Sequence, residues 1–198
     1  MISPLKAIIA ESSRRKQQVR NGQNLSLHST FFFKIPRYMD DGRVRLRPLR
    51  ISDIRSIHGD LRDKDILNAI GLTRPFTRSW IYLWWWLRKT LMFRYAMEAD
   101  SRLIGFTGLC RVLPGRSAEL TLVVTDEKSK RVGCGSRAFT LIAQALQRYS
   151  SIEKLLVKVR PDNGAARSFW SKLGFEKQVG MKSMQVMFFK VKSLHKEP

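Results

Sequence analysis

Apolar and basic residues alternate along Arg43-Val44-Arg45-Leu46-Arg47-Pro48-Leu49, and this period of two predicts a half-buried strand. Ser52 or Asp53 is placed to cap a helical stretch in which Ile54, Ile57, Leu61, Ile66, Leu67 and Ile70 recur, with Gly71 as the stop. One or two short helices are expected there. Thr77 can cap a further helix from about Arg78 to Thr90, dense in rings (Trp80, Tyr82, Trp84, Trp85, Trp86). These rings nearly encircle its axis, so most are read as core. From Phe93 the period returns to two, and Phe93 to Glu98 with Leu103 to Leu109 predict a hairpin about Ala99-Asp100-Ser101. A strand from Ala118 to Thr125, a helix from about Gly135 to Tyr149 and a buried strand from Lys154 to Val159 follow. Next come a helix from Ala165 to Leu173, stopped by Gly174, and a final strand between Lys182 and Lys192.

The first 24 residues or so break this pattern. Glu11 is their only acid among Arg14, Arg15, Lys16 and Arg20, a bias that fits an organellar leader or a flexible basic tail, with the tail as the default. Lys6 interrupts the apolar run a secretory signal needs. Residues 1–40 are therefore assigned to a basic extension, with Phe31 to Ile35 able to tuck onto the domain, and residues 41–198 to a single domain. A chain of 198 residues favours one core. Its longest apolar run, Trp80 to Leu87, is far short of the roughly 18 residues of a membrane helix. A cytoplasmic protein, monomeric or homodimeric, is expected.

Charge adds a constraint on partners. With 37 Lys and Arg against 16 Asp and Glu the net charge is +21, which attracts polyanions and slows encounter with polycations. Nucleic acid or ribosome contact through this surface is admissible. Cys110 and Cys134 allow at most one bridge, and His28, His58 and His195 are far apart, so no metal site is expected.

The candidate chemistry begins at Lys130-Arg131-Val132-Gly133-Cys134-Gly135-Ser136, between a strand and a helix. Glycines let an anion approach the backbone, and a helix start points unpaired N–H groups at it. Downstream stands Asn163-Gly-Ala-Ala166-Arg-Ser-Phe169-Trp170-Ser-Lys-Leu173-Gly174-Phe175. The ordered set is a Leu-Arg-Pro-Leu strand, a hairpin ending Ile-Gly-Phe-Thr-Gly, a Glu-bearing strand, a basic-x-x-Gly-x-Gly turn and an Asn-x-x-Ala helix ending Leu-Gly-Phe. From about Val44 to Val191 it resembles the GNAT acyl-CoA N-acyltransferases, most of all the subgroup similar to RimJ and RimL.

That resemblance implies an α+β fold, a mixed and mostly antiparallel sheet of about 6–7 strands with helices on both faces. The Glu119 and Leu155 strands would splay apart to admit the pantetheine arm of acetyl-CoA. By position, backbone groups of Val123, Val124 and Thr125 would pair with that arm. Lys130 through Ser136 (Lys130, Arg131, Val132, Gly133, Cys134, Gly135, Ser136) would hold the pyrophosphate, and Asn163 would lie near the arm. Trp170 stands where many members have a tyrosine that protonates the departing thiolate; its expected role is packing under the cofactor, with Ser168, Ser171 or Tyr149 as possible substitutes for the acid. The implied activity is acetyl transfer to a primary amine, of a protein N-terminus or a small molecule; a CoA-binding protein without turnover is the alternative. Glu119 alternates with Thr121, Val123 and Thr125 on one strand face and is the candidate base; its bland reading is an ion pair with Arg116 or Arg94. Glu98, beside the hairpin turn, is the weaker candidate. Cys134, Cys110 and His58 are read as structural.

Overall fold

The computed structural model describes residues 35–60, 62, 77, 93–178 and 185–191. Its elements are β1 (Met39–Asp40), β2 (Arg45–Pro48), α1 (Ile51–Asp60), β3 (Phe93–Ala99), β4 (Arg102–Leu113), β5 (Ser117–Val124), α2 (Cys134–Tyr149), β6 (Lys154–Val159), α3 (Gly164–Lys172), β7 (Glu176–Gln178) and β8 (Gln185–Lys190). The aromatic helix expected between Arg78 and Thr90, and the basic extension up to residue 34, lie outside the described residues.

One sheet of eight strands runs in the order β1-β2-β3-β4-β5-β6-β8-β7, one or two strands more than the sequence suggests. The surplus comes from pieces too short to show periodicity. Met39–Asp40 pairs with β2 through Met39↔Leu46, and Glu176–Gln178 pairs with β8. Ile35 and Met39 are buried in the core, so packing on the domain begins before residue 41. All neighbours are antiparallel except β5 and β6.

Strand alternation sorts the two faces. Leu46, Met97, Leu109, Leu120, Leu155 and Val157 pack under α2, whose Ala138, Phe139, Ile142 and Leu146 form the matching stripe. α3 joins this layer through Trp170, which meets Phe139, Phe169 and Phe175 edge-on at ring separations of 6.2, 4.9 and 4.9 Å. The opposite face carries Arg47, Glu98 and α1, so helices cover both faces.

Arg47 ties α1 to the sheet. Its guanidinium reaches Asp53 with two bonds, 2.6 and 3.0 Å, and Glu98 with a third of 2.7 Å. The helix starts at Ile51, earlier than Ser52 or Asp53 as cap implies. Asp53 works from inside the first turn, accepting the Arg50 N–H at 2.7 Å, the acidic half of a capping box. Glu98 is thereby tied to Arg47, and its strand, β3, lies two strands away from β5 in the sheet.

Candidate active site

Between β5 and β6 the register contains Ser117↔Lys154, Ala118↔Leu155 and Glu119↔Leu156, and there it stops. Both strands continue, β5 to Val124 and β6 to Val159, as the arms of a fork. The divergence agrees with the splayed strands that the resemblance implies. What β5 offers to the opening follows from its pairing on the other side. The Thr125 N–H donates to the Ile104 carbonyl on β4 at 2.9 Å, and the register Phe106↔Val123 and Gly105↔Val124 continues inward. Backbone groups alternate in direction along an antiparallel strand, so Thr125 and Val123 face β4 whereas Val124 and Leu122 face the fork. Thr125 is thus corrected as a backbone partner for a ligand arm, because its donor is taken. The Val123 carbonyl likewise lies over Gly105, where an added Cβ would stand 2.1 Å from it. Leu122, absent from the sequence reading, presents its backbone groups to the fork with Val124; only the register assigns direction.

The start of α2 closes the wide end of the fork. Gly133 precedes the helix at φ 89° and supplies no side-chain cap, and the first N–H bonded back is that of Arg137, to the Gly133 carbonyl at 3.0 Å. The N–H groups of Cys134, Gly135 and Ser136 therefore precede the first intrahelical bond and end the macrodipole's positive pole. Arg131, at φ 63°, bends the turn into position; Val132 beside it is exposed. Lys130 is ion-paired with Glu127. Gly135 is buried, and a Cβ on it would meet the Phe169 ring at 3.3 Å and Leu122 Cδ2 at 3.5 Å. That close approach places the helix start, β5 and α3 around one point.

Phe169, rather than Trp170, is therefore the α3 residue against this turn. Trp170 is 6% exposed inside the aromatic layer, one ring behind Phe169. Ser168 and Ser171 are exposed on α3, and Tyr149 lies at the far end of α2, about 24 Å along a helix of this length. There it lines a groove of about 610 Å³ with Met39, Asp40, Gln144 and Arg148. This separation removes Tyr149 as a proton donor at the fork. Asn163 caps α3, its Oδ1 accepting the Ala166 N–H at 2.9 Å.

Glu119 sits where the fork opens, on the sheet face opposite α2. Its Oε2 receives Arg111 Nη1 at 2.5 Å and Lys158 Nζ at 2.9 Å. The expected partners were Arg116 or Arg94; those found come from a β4 irregularity between Cys110 and Leu113 and from β6. Arg111 adopts φ 47° there, a backbone state that a sequence does not announce. Lys158 reaches diagonally across the fork from two places beyond Leu156, the last paired residue of β6. Among the described residues no His, Cys, Asp and Glu cluster could hold a metal ion.

A forked parallel pair with a bare helix start at its mouth defines an acyl-carrier transferase fold. The chain belongs to the GNAT acetyltransferase family: residues 43–176 match the family described as Acetyltransferase (GNAT) domain. Solved structures share this fold. Spermidine N-acetyltransferase from Vibrio cholerae, in complex with CoA and spermine, has a TM-score of 0.65 at 20% identity, covering 77% of this chain and 98% of that one. Mycobacterium smegmatis RimJ, in complex with CoA-disulfide, has 0.64 at 16%, covering 84% and 91%. The aminoglycoside acetyltransferase AAC(6')-Ib in complex with coenzyme A has 0.65 at 16%, covering 78% and 99%. No curated protein sequence matches significantly.

Proposed function

We propose that this chain is an N-acetyltransferase that moves an acetyl group from acetyl-CoA to a primary amine by direct attack. The observation that carries it is the meeting of the open β5/β6 fork with the uncapped start of α2. A pantetheine arm needs amide partners along an extended strand, which Leu122 and Val124 offer. A pyrophosphate needs convergent N–H donors and positive potential, which the turn from Lys130 to Ser136 offers. Coenzyme A was crystallised with the Vibrio cholerae and aminoglycoside enzymes above, which supports the same donor here. Residues 1–40 remain assigned to an extension that shares residues 35–40 with the core.

In the transfer the neutral amine nitrogen forms a bond to the thioester carbonyl carbon, the C–S bond breaks, and one proton passes from nitrogen to the departing thiolate; an amine that arrives as ammonium must first lose another. An alkylamine with a pKa of about 10.4 is mostly protonated at pH 7, so a nearby proton acceptor matters. Glu119 is the carboxylate at the fork, and it must share Oε2 with two cations. Glu119→Gln is expected to lower turnover about tenfold at pH 7 and less at pH 9, where more amine is already neutral. Equal losses at both values would remove it as the base. The thiolate, with a parent pKa of about 8.5, leaves without obligatory acid catalysis, so Trp170 in place of tyrosine is compatible with turnover.

Calorimetric titration with acetyl-CoA, followed by amine-dependent thiol release, tests this reading. Binding with release across an amine panel is expected. Gly135→Val, which wedges α2 from Phe169 and Leu122, should weaken acetyl-CoA binding by tenfold or more. Trp170 in the core and the doubly paired Glu119 favour one other reading, a CoA-binding protein without turnover that uses its +21 charge on nucleic acid. Binding without release, with RNA affinity falling steeply in salt, would establish that instead.

A further inference from the structure

Glu119 is held in an unusual way for a proton acceptor, and its two partners suggest what the acceptor substrate looks like. Both cations converge on the same oxygen, one from each side of the opening: Arg111 from the end of β4 and Lys158 from β6 beyond the last paired residue. Their exposure differs from that of the carboxylate. The Arg111 and Lys158 side chains are 55% and 32% exposed, against 17% for Glu119, so the cations are the groups a solute meets first.

The face is basic next to Glu119, with Glu176 on β7, the cross-strand partner of Phe188, as a carboxylate farther along it. Cross-strand partners share a face, so Lys154, Lys158 and Lys190 stand with Glu119 on the side opposite α2. Lys154 lies over the Phe188 ring at 5.8 Å. Among the described residues of β5, β6 and β8, Glu119 is the one carboxylate on this face. A simple alkylamine reaches it as a cation, against both the local field and the +21 of the whole chain. An amine joined to a carboxylate or phosphate does not carry that penalty.

We propose that the acceptor is an amine that also bears an anionic group, and that Lys158, with Arg111, receives this group. The proposal rests on the transfer reaction described above. The anion takes over hydrogen bonds that Lys158 and Arg111 give to Glu119, and the carboxylate is released to accept the amine proton. Charge is conserved: one anion–cation contact is exchanged for another, Glu119 takes the ammonium proton so that the neutral amine can attack, and the second nitrogen proton, lost as the C–N bond forms, leaves with the thiolate as the thiol. Lys158 is then a positioning residue that couples acceptor recognition to the base.

Matched acceptors test this in the full chain, with acetyl-CoA saturating and thiol release as the readout. One pair is O-phosphoethanolamine and ethanolamine; the other is the C-terminally amidated peptides Ala-Glu-Ala-Ala and Ala-Gln-Ala-Ala, whose amines are closely matched in basicity. The pairs separate phosphate from carboxylate as the source of charge. The anionic member of at least one pair should have a kcat/KM about tenfold above its neutral partner, the advantage shrinking as salt screens the contact. Lys158→Met should reduce that ratio about tenfold by raising KM and lowering kcat for the anionic member, and Lys158→Arg should restore it. Equal kcat/KM within both pairs, or faster turnover of spermidine than of any anionic amine, overturns the proposal and leaves the transfer reaction standing. Absence of thiol release from every acceptor, with acetyl-CoA bound, overturns both. The wild-type ratios stand whether or not Lys158→Met folds.

Discussion

Arg47→Met should lower the unfolding free energy by about 3–5 kcal/mol, because it strips the partner from a carboxylate that is almost wholly buried. Arg47 and Asp53 are 6% and 7% exposed, and their two hydrogen bonds hold α1 on β2 while the third, to Glu98, extends the link to β3. Asp53→Asn should cost less, since the Arg50 N–H keeps an acceptor and Arg47 keeps Glu98. Urea unfolding of both variants measures the difference, and a loss under 1 kcal/mol for Arg47→Met would show that the triad contributes little.

The same triad sets an acid limb. Burial pushes the Asp53 pKa up, but the hydrogen bonds from Arg47 and from the Arg50 N–H outweigh it and hold the carboxyl below its ordinary value. The folded state therefore binds this proton less readily than the unfolded chain. Its stabilisation is present above the unfolded pKa of about 4 and is lost as pH falls through the lower, folded value. Below pH 4 wild-type stability should fall more steeply than that of Arg47→Met, in which the hydrogen bonds and attraction from Arg47 are gone. Parallel acid limbs would contradict this assignment.

Gly105→Ala is the second large effect. The new methyl carbon would stand 2.1 Å from the Val123 carbonyl oxygen and 3.0 Å from Val124 Cα, and both obstacles are backbone. Rotamer changes cannot relieve the overlap, so β5 must move away from β4 where it enters the fork. Overpacking on this scale costs about 3 kcal/mol, which for a chain of this size lowers the melting temperature by roughly 6–12 °C. Acetyl-CoA affinity should fall with it, because the displaced segment carries Leu122 and Val124. Scanning calorimetry and a CoA titration on one preparation check both, and an unchanged melting temperature would show that the strands do not meet so closely.

The order of elements, the bounds of β6 and the place of the glycine turn were legible in the sequence because each rests on local chemistry. Leu155-Leu156-Val157 and Val159 make a short buried run between Lys154 and Arg160, and Gly133 and Gly135 bracket the start of a helix whose apolar stripe runs unbroken to Leu146. β1 and β7 left no such mark, since two or three residues do not make a period.

Glu119 shows where sequence reasoning ends. Its strand and its face follow from alternation, and so does its position as a candidate base. Its partners do not: Arg111 arrives through an irregular backbone and Lys158 through the register of a parallel pair formed across α2. Trp170 is similar, since helical spacing places it beside Phe169 but only packing decides which ring enters the core and which faces Gly135. The chain by itself determined the family, the longer elements and the glycine turn, all written in short-range patterns of size, charge and periodicity. Tertiary structure alone decided where the strands part, which backbone groups face the opening and which cations hold the carboxylate, because each depends on residues distant in sequence coming to within a few ångströms.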